Sequence, residues 1–120
     1  MTGGEFGTVK EYQRAISAVL EAGVPARHVA LLQAHLGAPR HSASCAELAD
    51  AVGYASWRVV NFQYGALAHR IAAELGLFEA PNGYWANVLI DWSSTRNEIG
   101  HSRYTLRPQV VKALKILGFD

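Results

Sequence analysis

The sequence is short of most features that would tie it to an export route, a membrane or a metal. Its single cysteine, Cys45, leaves no internal disulfide and no cysteine-based zinc site, and it fits a reducing compartment. No apolar run approaches the roughly 18 residues that span a bilayer, and no secretory-signal pattern opens the chain. A cytoplasmic location with no membrane partner is therefore expected. An excess of one charge is missing too: eleven Lys and Arg against ten Asp and Glu leave a formal net charge of +1. Spread evenly, that charge would give little attraction to polyphosphates. Its distribution is less even, because Arg96, Arg103, Arg107, Lys112 and Lys115 lie beyond residue 95, opposed there only by Glu98 and Asp120.

Catalytic patterns are also scarce. His28, His35, His41, His69 and His101 are scattered over different segments, and no metal site is expected from them. His28 and His35 are seven apart on one helical stretch and read as partly exposed helix residues. Asp91 and Glu98 are the only candidate carboxylate pair near a strand, with no lysine following at nuclease-like spacing. Cys45 lies inside a helix start without the Pro-Cys-His-Arg surroundings of DNA alkyltransferases, and G-x-S-x-G is absent. No enzyme and no cofactor are expected.

What is present is a run of helical signals. In "VKEYQRAISAVLEAG", Val9, Tyr12, Ile16, Val19 and Leu20 share one face and Gly23 stops it. Pro25 opens a second helix, with Val29, Leu32 and Leu36 along its stripe and Gly37 to Pro39 ending it. "SCAE" is a capping box, in which the Ser44 hydroxyl and Glu47 carboxylate satisfy backbone N–H groups at the start of a third helix closed by Gly53. A longer helix is expected from about Ser56 to Leu75, with Val60, Leu67, Ile71 and Leu75 as its apolar stripe. The period then changes. "GYWANVLIDWS" alternates and predicts a strand with Tyr84, Ala86, Val88, Ile90 and Trp92 on one side; "HSRYTL" is its expected antiparallel partner. Pro108 opens a last helix ended by Gly118. Residues 1–8, "MTGGEFGT", are Gly-rich and patternless and read as a flexible start or a cloning remnant, leaving 9–120 as one domain.

The order predicts an α+β domain: a mainly helical winged helix-turn-helix with a two-stranded antiparallel hairpin and a C-terminal helix. Ala49 is small enough to admit the next helix, and Gly53, four residues on, can make the turn between the two. In such units the second helix enters the major groove of double-stranded DNA and its N-terminal side chains meet base edges. Arg58 can give a bidentate pair to guanine, and Asn61 or Gln63 to adenine. Ser56, with the first backbone N–H groups, can hold a phosphate. At 100° per residue from Trp57, a sector of Arg58, Asn61, Gly65 and His69 points away from the apolar stripe, and Gly65 would admit close backbone approach. Arg96 and Arg103, in the wing "SSTRNEIGHSR", are the candidates for backbone contact. Trp57 and Tyr64 are the candidates for enclosing an extruded or methylated base. The alternatives are an ordinary solvated helix face and aromatics that fill a core.

"LLQAHLGAPRHSASCAELADAVGYASWRVVNFQYGALAHRIAAELG" resembles a domain found beside HNH nuclease modules in bacterial proteins of the modification-dependent restriction type. The shared pattern is "LLQAHxxAPxH", "ELAxAVGY", "NxxYGxLAxxI" and a closing "RPQVVKAL", from about residue 29 to about 117. Gly53, Tyr54, Asn61, Tyr64 and Gly65 carry the match. The resemblance implies a winged-helix-like DNA-reading module, with modified DNA among its targets, that directs a nuclease carried elsewhere. The nuclease itself is missing, because an HNH site needs clustered His and Asn on a ββα unit. The favoured expectation is a non-catalytic module that binds double-stranded DNA and reads methylated or otherwise modified duplex, alone or with a nuclease module or subunit. A small winged-helix transcription regulator and a protein-interaction module on the same fold are the alternatives.

Overall fold

The computed structural model describes residues 6–93 and 103–119. Among them are five helices: α1 (Val9–Ala22), α2 (Ala26–Gly37), α3 (Cys45–Val52), α4 (Trp57–Glu74) and α5 (Pro108–Ile116). Three short strands, β1 (Ser42–Ser44), β2 (Ile90–Ser93) and β3 (Arg103–Leu106), form one antiparallel sheet in the order β1-β3-β2. The fold is α+β and mostly helical. No described helix is long and apolar enough to cross a membrane.

The domain begins earlier than the apolar period indicates. Thr8 caps α1 in a reciprocal box with Glu11, and Phe6 lies under the Arg107 guanidinium, 5.0 Å from its ring centre. Residues 6–8 thus belong to the fold, which corrects their reading as a loose start. They leave no mark on the apolar period because a capping box straddles the helix boundary and adds only one polar residue to the pattern.

The helical pair α3–α4 follows the expected grammar. Ser44 accepts from the Glu47 amide at 3.1 Å while the Glu47 carboxylate accepts from the Ser44 amide at 2.9 Å. Gly53 ends α3 at φ 89°, in the left-handed region, and its amide and that of Tyr54 both donate to the Ala49 carbonyl. The chain then re-enters a helix at Trp57. Ala49 is buried, which lets α4 pack closely across α3.

The sheet departs from expectation in two ways. Strand β1 was not expected: it is the three residues before the α3 cap, paired with β3 in the register Ser42↔Thr105, Ala43↔Tyr104, Ser44↔Arg103. So short a strand carries no alternation of its own; its pairing is decided by β3. The predicted strand over 84–92 is also shorter than expected, since Trp85–Val88 is a 3-10 turn and only Ile90–Ser93 pairs. Val88, Leu89 and Ile90 are buried in succession, which one face of a strand cannot do. The turn is held from outside: the Tyr12 hydroxyl donates to the Val88 carbonyl, and Asn87 donates from Nδ2 to the Pro81 carbonyl. Tertiary hydrogen bonds here override an alternation that the aromatics only imitated.

Arg107 links this turn to the sheet and α5. It is buried, donates from Nε to the Asn87 carbonyl at 2.7 Å, and pairs with Asp91 at 3.1 Å. A buried guanidinium is tolerable only with such partners.

Two substitutions test the α3 boundary. Ser44→Ala removes a cap and is expected to lower unfolding free energy by about 1 kcal/mol. Gly53→Ala forces a Cβ into the left-handed region and is expected to cost about as much, although open space surrounds the site. Urea unfolding should show lower midpoints at unchanged m-value; a midpoint equal to the parent's would mean that the cap or turn adds nothing.

Candidate functional site

The outward side of α4 is the surface on which the site residues converge. Helical geometry turns Val60, Tyr64, Leu67, Ala68, Ile71 and Ala72 into the core, and they are all buried. Arg58, Asn61, Phe62, Ala66, His69 and Ala73 are exposed on the other side, with Trp57 at the edge. No acidic side chain interrupts α4 before Glu74. The Arg58 guanidinium lies over the Trp57 ring, 5.4 Å from its centre, so cation and aromatic plane form one platform at the helix start. A Cβ added to Gly65 would meet nothing within 4 Å, leaving a smooth patch one turn further on. Ser56 is the residue before α4 and is exposed, and its side chain makes no capping hydrogen bond. His69 stacks on Trp85 at 4.2 Å and 11°, continuing the face onto the 3-10 turn.

Beneath this face runs a buried chain of hydrogen bonds. His35 on α2 contacts the Tyr64 hydroxyl through Nδ1 at 2.6 Å and the Tyr104 carbonyl through Nε2 at 2.7 Å. A carbonyl only accepts, so Nε2 carries the proton and Nδ1 accepts from Tyr64. The Tyr104 hydroxyl in turn donates to Asn61 Oδ1 at 2.6 Å, bringing the network to the surface. Burial, ahead of the neighbouring His41 and Arg103 charges, holds His35 down to about 4, against the lift from its bond to the Tyr104 carbonyl. Burial also pushes the Tyr64 and Tyr104 phenols up, so all three groups stay neutral across the ordinary pH range.

Several sequence-derived assignments need correction. Tyr64 is 0% exposed and bonded to His35, so it cannot enclose a base, and a Trp57–Tyr64 cage does not exist on this surface. Gln63 is engaged by His28, whose Nε2 donates to Gln63 Oε1 at 2.6 Å. His28 and His35 are both buried, not partly exposed helix residues. Arg103 is not a free wing cation: it pairs with Glu47 at 2.8 Å and donates to the Ser42 carbonyl at 3.0 Å. Arg96 and most of the wing "SSTRNEIGHSR" lie outside the described residues. What the structure brings together is Trp57, Arg58, Asn61, Gly65 and His69, with Ser56 at the helix start.

Three participants escaped the sequence reading. Tyr104 belongs to the segment expected only as a strand partner, and its contact with Asn61 spans 43 positions, so no local pattern could reveal it. Phe62, 73% exposed, was legible in principle, since it falls on the Arg58 side of the helical wheel. Trp85 was expected in a strand that begins only at Ile90.

The His35 geometry makes a sign-definite prediction. Its folded-state pKa lies below the ordinary 6.5, so between pH 6.5 and about 4 the unfolded chain takes up a proton that the folded chain refuses. Stability supplied by the neutral imidazole is complete above pH 6.5 and is lost as pH falls, by roughly 3 kcal/mol once pH 4 is reached. Urea unfolding at pH 7, 6 and 5 should show the decline starting above the carboxylate range. His35→Gln, which can still donate and accept, should flatten it, and an equal slope in that variant would assign the effect elsewhere.

No family model matches the chain, and comparison with curated proteins and with solved structures likewise found no match.

Proposed function

We propose that this domain is a winged helix that binds double-stranded DNA without catalysis, placing α4 in the major groove, and that it reads modified duplex for a restriction system. The observation that carries the reading is the outward face of α4: Trp57, Arg58 and Asn61 stand within its first two turns, and no acidic group precedes Glu74. An α-helix fits the major groove, and its N-terminal side chains are those that reach base edges.

The strand order supports the winged-helix part. A short strand just before the first helix of the pair, hydrogen-bonded to the second strand of the following hairpin, is how such folds brace the wing against the helices, and β1-β3-β2 has that order. The helical pair itself turns on Gly53 at positive φ. The modified-DNA part rests on the resemblance drawn from "ELADAVGY" and "NFQYGALAHRI". With Tyr64 in the core, it requires recognition on the exposed platform of Trp57 and Arg58, not inside a pocket.

A protein-interaction role on the same face is the second reading, favoured by one observation: Phe62, 73% exposed, projects from the middle of α4 beside Arg58. Exposed aromatics beside an arginine are common anchors of protein interfaces.

The test is binding to unmodified, cytosine-methylated and adenine-methylated duplexes of random sequence. The free domain should bind at 50 mM salt and weaken by about ten- to fortyfold at 200 mM, the response of two or three engaged phosphates. One methylated duplex should bind more tightly than its unmodified counterpart. Arg58→Ala should reduce binding to the preferred duplex by about tenfold, and Arg96→Ala should weaken all duplexes alike. Salt-independent binding, or both variants binding as the parent does, would overturn the assignment and leave the protein-interaction reading.

A further inference from the structure

A helix in a groove recognises only what its side chains can donate or accept, so the state of Asn61 before any ligand arrives matters. A carboxamide has two faces: Oδ1 accepts, and Nδ2 donates twice. Which one points outward is normally free to change. Here the Tyr104 hydroxyl stands 2.6 Å from Oδ1 and holds it.

The polarity of this contact follows from the proton supply. Tyr104 has one hydroxyl proton; Asn61 Oδ1 lies 2.6 Å from that hydroxyl, and the Cys45 thiol and Tyr84 are among the groups around it. Sulfur is a weak acceptor and a carboxamide oxygen a strong one, so the proton goes to Oδ1. A reversed amide would donate to the phenol from Nδ2 and leave the phenol proton to the sulfur, a poorer arrangement in a half-buried site. Tyr104 cannot easily drift to accommodate it. Its carbonyl accepts from His35, and its strand is paired on both sides, with Ala43 in β1 and Trp92 in β2.

On the exposed side, Asn61 Nδ2 makes no hydrogen bond among the described residues. Arg58, three positions earlier, carries five N–H donors and no acceptor. The first two turns of α4 therefore offer donors from both side chains.

We infer that Tyr104 is a positioning residue that locks Asn61 with Nδ2 outward, so that Arg58 and Asn61 together select base edges that pair two acceptors, those of guanine in the major groove. This rests on the reading that α4 enters a duplex. Guanine presents two acceptors, N7 and O6, whereas adenine pairs its N7 acceptor with an N6 donor. The familiar asparagine–adenine pair needs Oδ1 to accept from N6, and here Oδ1 is already held on the protein side. The adenine preference that Asn61 suggests by residue type is thus inverted by its neighbour.

The experiment uses the whole chain. Duplexes are selected from a random library by the parent protein, and guanines in the best site are replaced one at a time by 7-deazaguanine, which lacks the N7 acceptor, or by inosine, which keeps N7 and O6. At the position read by Asn61, 7-deazaguanine should weaken binding about tenfold and inosine should not. Asn61→Ala should abolish that sensitivity. Tyr104→Phe should lose most of the preference for guanine over adenine there. A merely structural tyrosine would lower the melting temperature or weaken all duplexes equally and leave that ratio alone. Adenine preferred at the Asn61-dependent position, an unchanged ratio in Tyr104→Phe, or an Asn61→Ala loss shared by all duplexes (a phosphate contact) would each overturn the inference while duplex binding itself stands. Should Tyr104→Phe fail to fold, the 7-deazaguanine comparison on the parent and Asn61→Ala decides alone. Absence of binding to any duplex would remove the parent reading together with this one.

Discussion

The structure depends on one buried imidazole. His35 sits at 0% exposure between α2, α4 and β3, and both of its ring nitrogens are used, one accepting from Tyr64 and one donating to the Tyr104 backbone. A buried polar group without partners costs on the order of 1–3 kcal/mol, so the position is tenable only in the arrangement that satisfies both nitrogens. That requirement ties the helical part of the domain to the sheet in a single register. A shift of β3 by one residue would exchange the faces of Tyr104 and Thr105, moving the phenol away from α4 and leaving Asn61 without its partner. The interior bond and the surface amide are two ends of the same constraint.

The same economy governs the charges. Arg103 and Arg107 look like free cations in the sequence but are bound to Glu47 and Asp91, and Arg70 donates to the Gly23 carbonyl. Glu47 serves two masters, since it closes the α3 capping box and receives Arg103. Hydrogen bonding from the Ser44 amide, more than the arginine, holds its carboxyl below the usual range. Two elements distant in sequence, the α3 start and the β3 start, are thereby fastened at one carboxylate. Among the described residues, the exposed Arg58 has the Trp57 ring beneath it and no ion pair, so it can leave that ring for a ligand without breaking one.

Helix starts and stops were legible because their causes are local. The capping box at Ser44, the glycine stops at Gly23 and Gly53, and Pro108 at the opening of α5 act over three or four residues. The exposed position of Arg58 and Asn61 followed from the 100° step of a helix. What was illegible is what partners decide from afar. Strand β1 exists because β3 is beside it, and Trp85–Val88 is a 3-10 turn because Tyr12 and Pro81 provide hydrogen bonds that a strand there would not make. Tyr64 shows the limit most clearly. Residue type and motif position offered it as a ligand contact, and on the wheel it lies between Val60 and Asn61, about 20° from Trp57; its burial is decided by its hydroxyl, which completes His35. A wheel alone, which leaves it about 60° from Asn61, does not separate the two; the partner on α2 does.

The balance of charge limits how such a surface could discriminate. Affinity from phosphate contacts is blind to sequence and rises with each free cation brought near the backbone. A domain that ties up Arg103 and Arg107 internally has weakened that contribution, and its net charge of +1 gives no compensating long-range field. If the α4 face binds as proposed, a larger share of the free energy would come from short-range groups: an aromatic plane at Trp57, a guanidinium at Arg58 and an amide whose Oδ1 is held at Asn61. Fixing that amide in advance avoids the loss of rotamer freedom that a mobile asparagine would suffer on binding, and it makes the wrong edge costly, because turning the amide would break the bond to Tyr104. On the proposed reading, low charge and a held carboxamide would work in the same direction, toward selectivity at modest affinity.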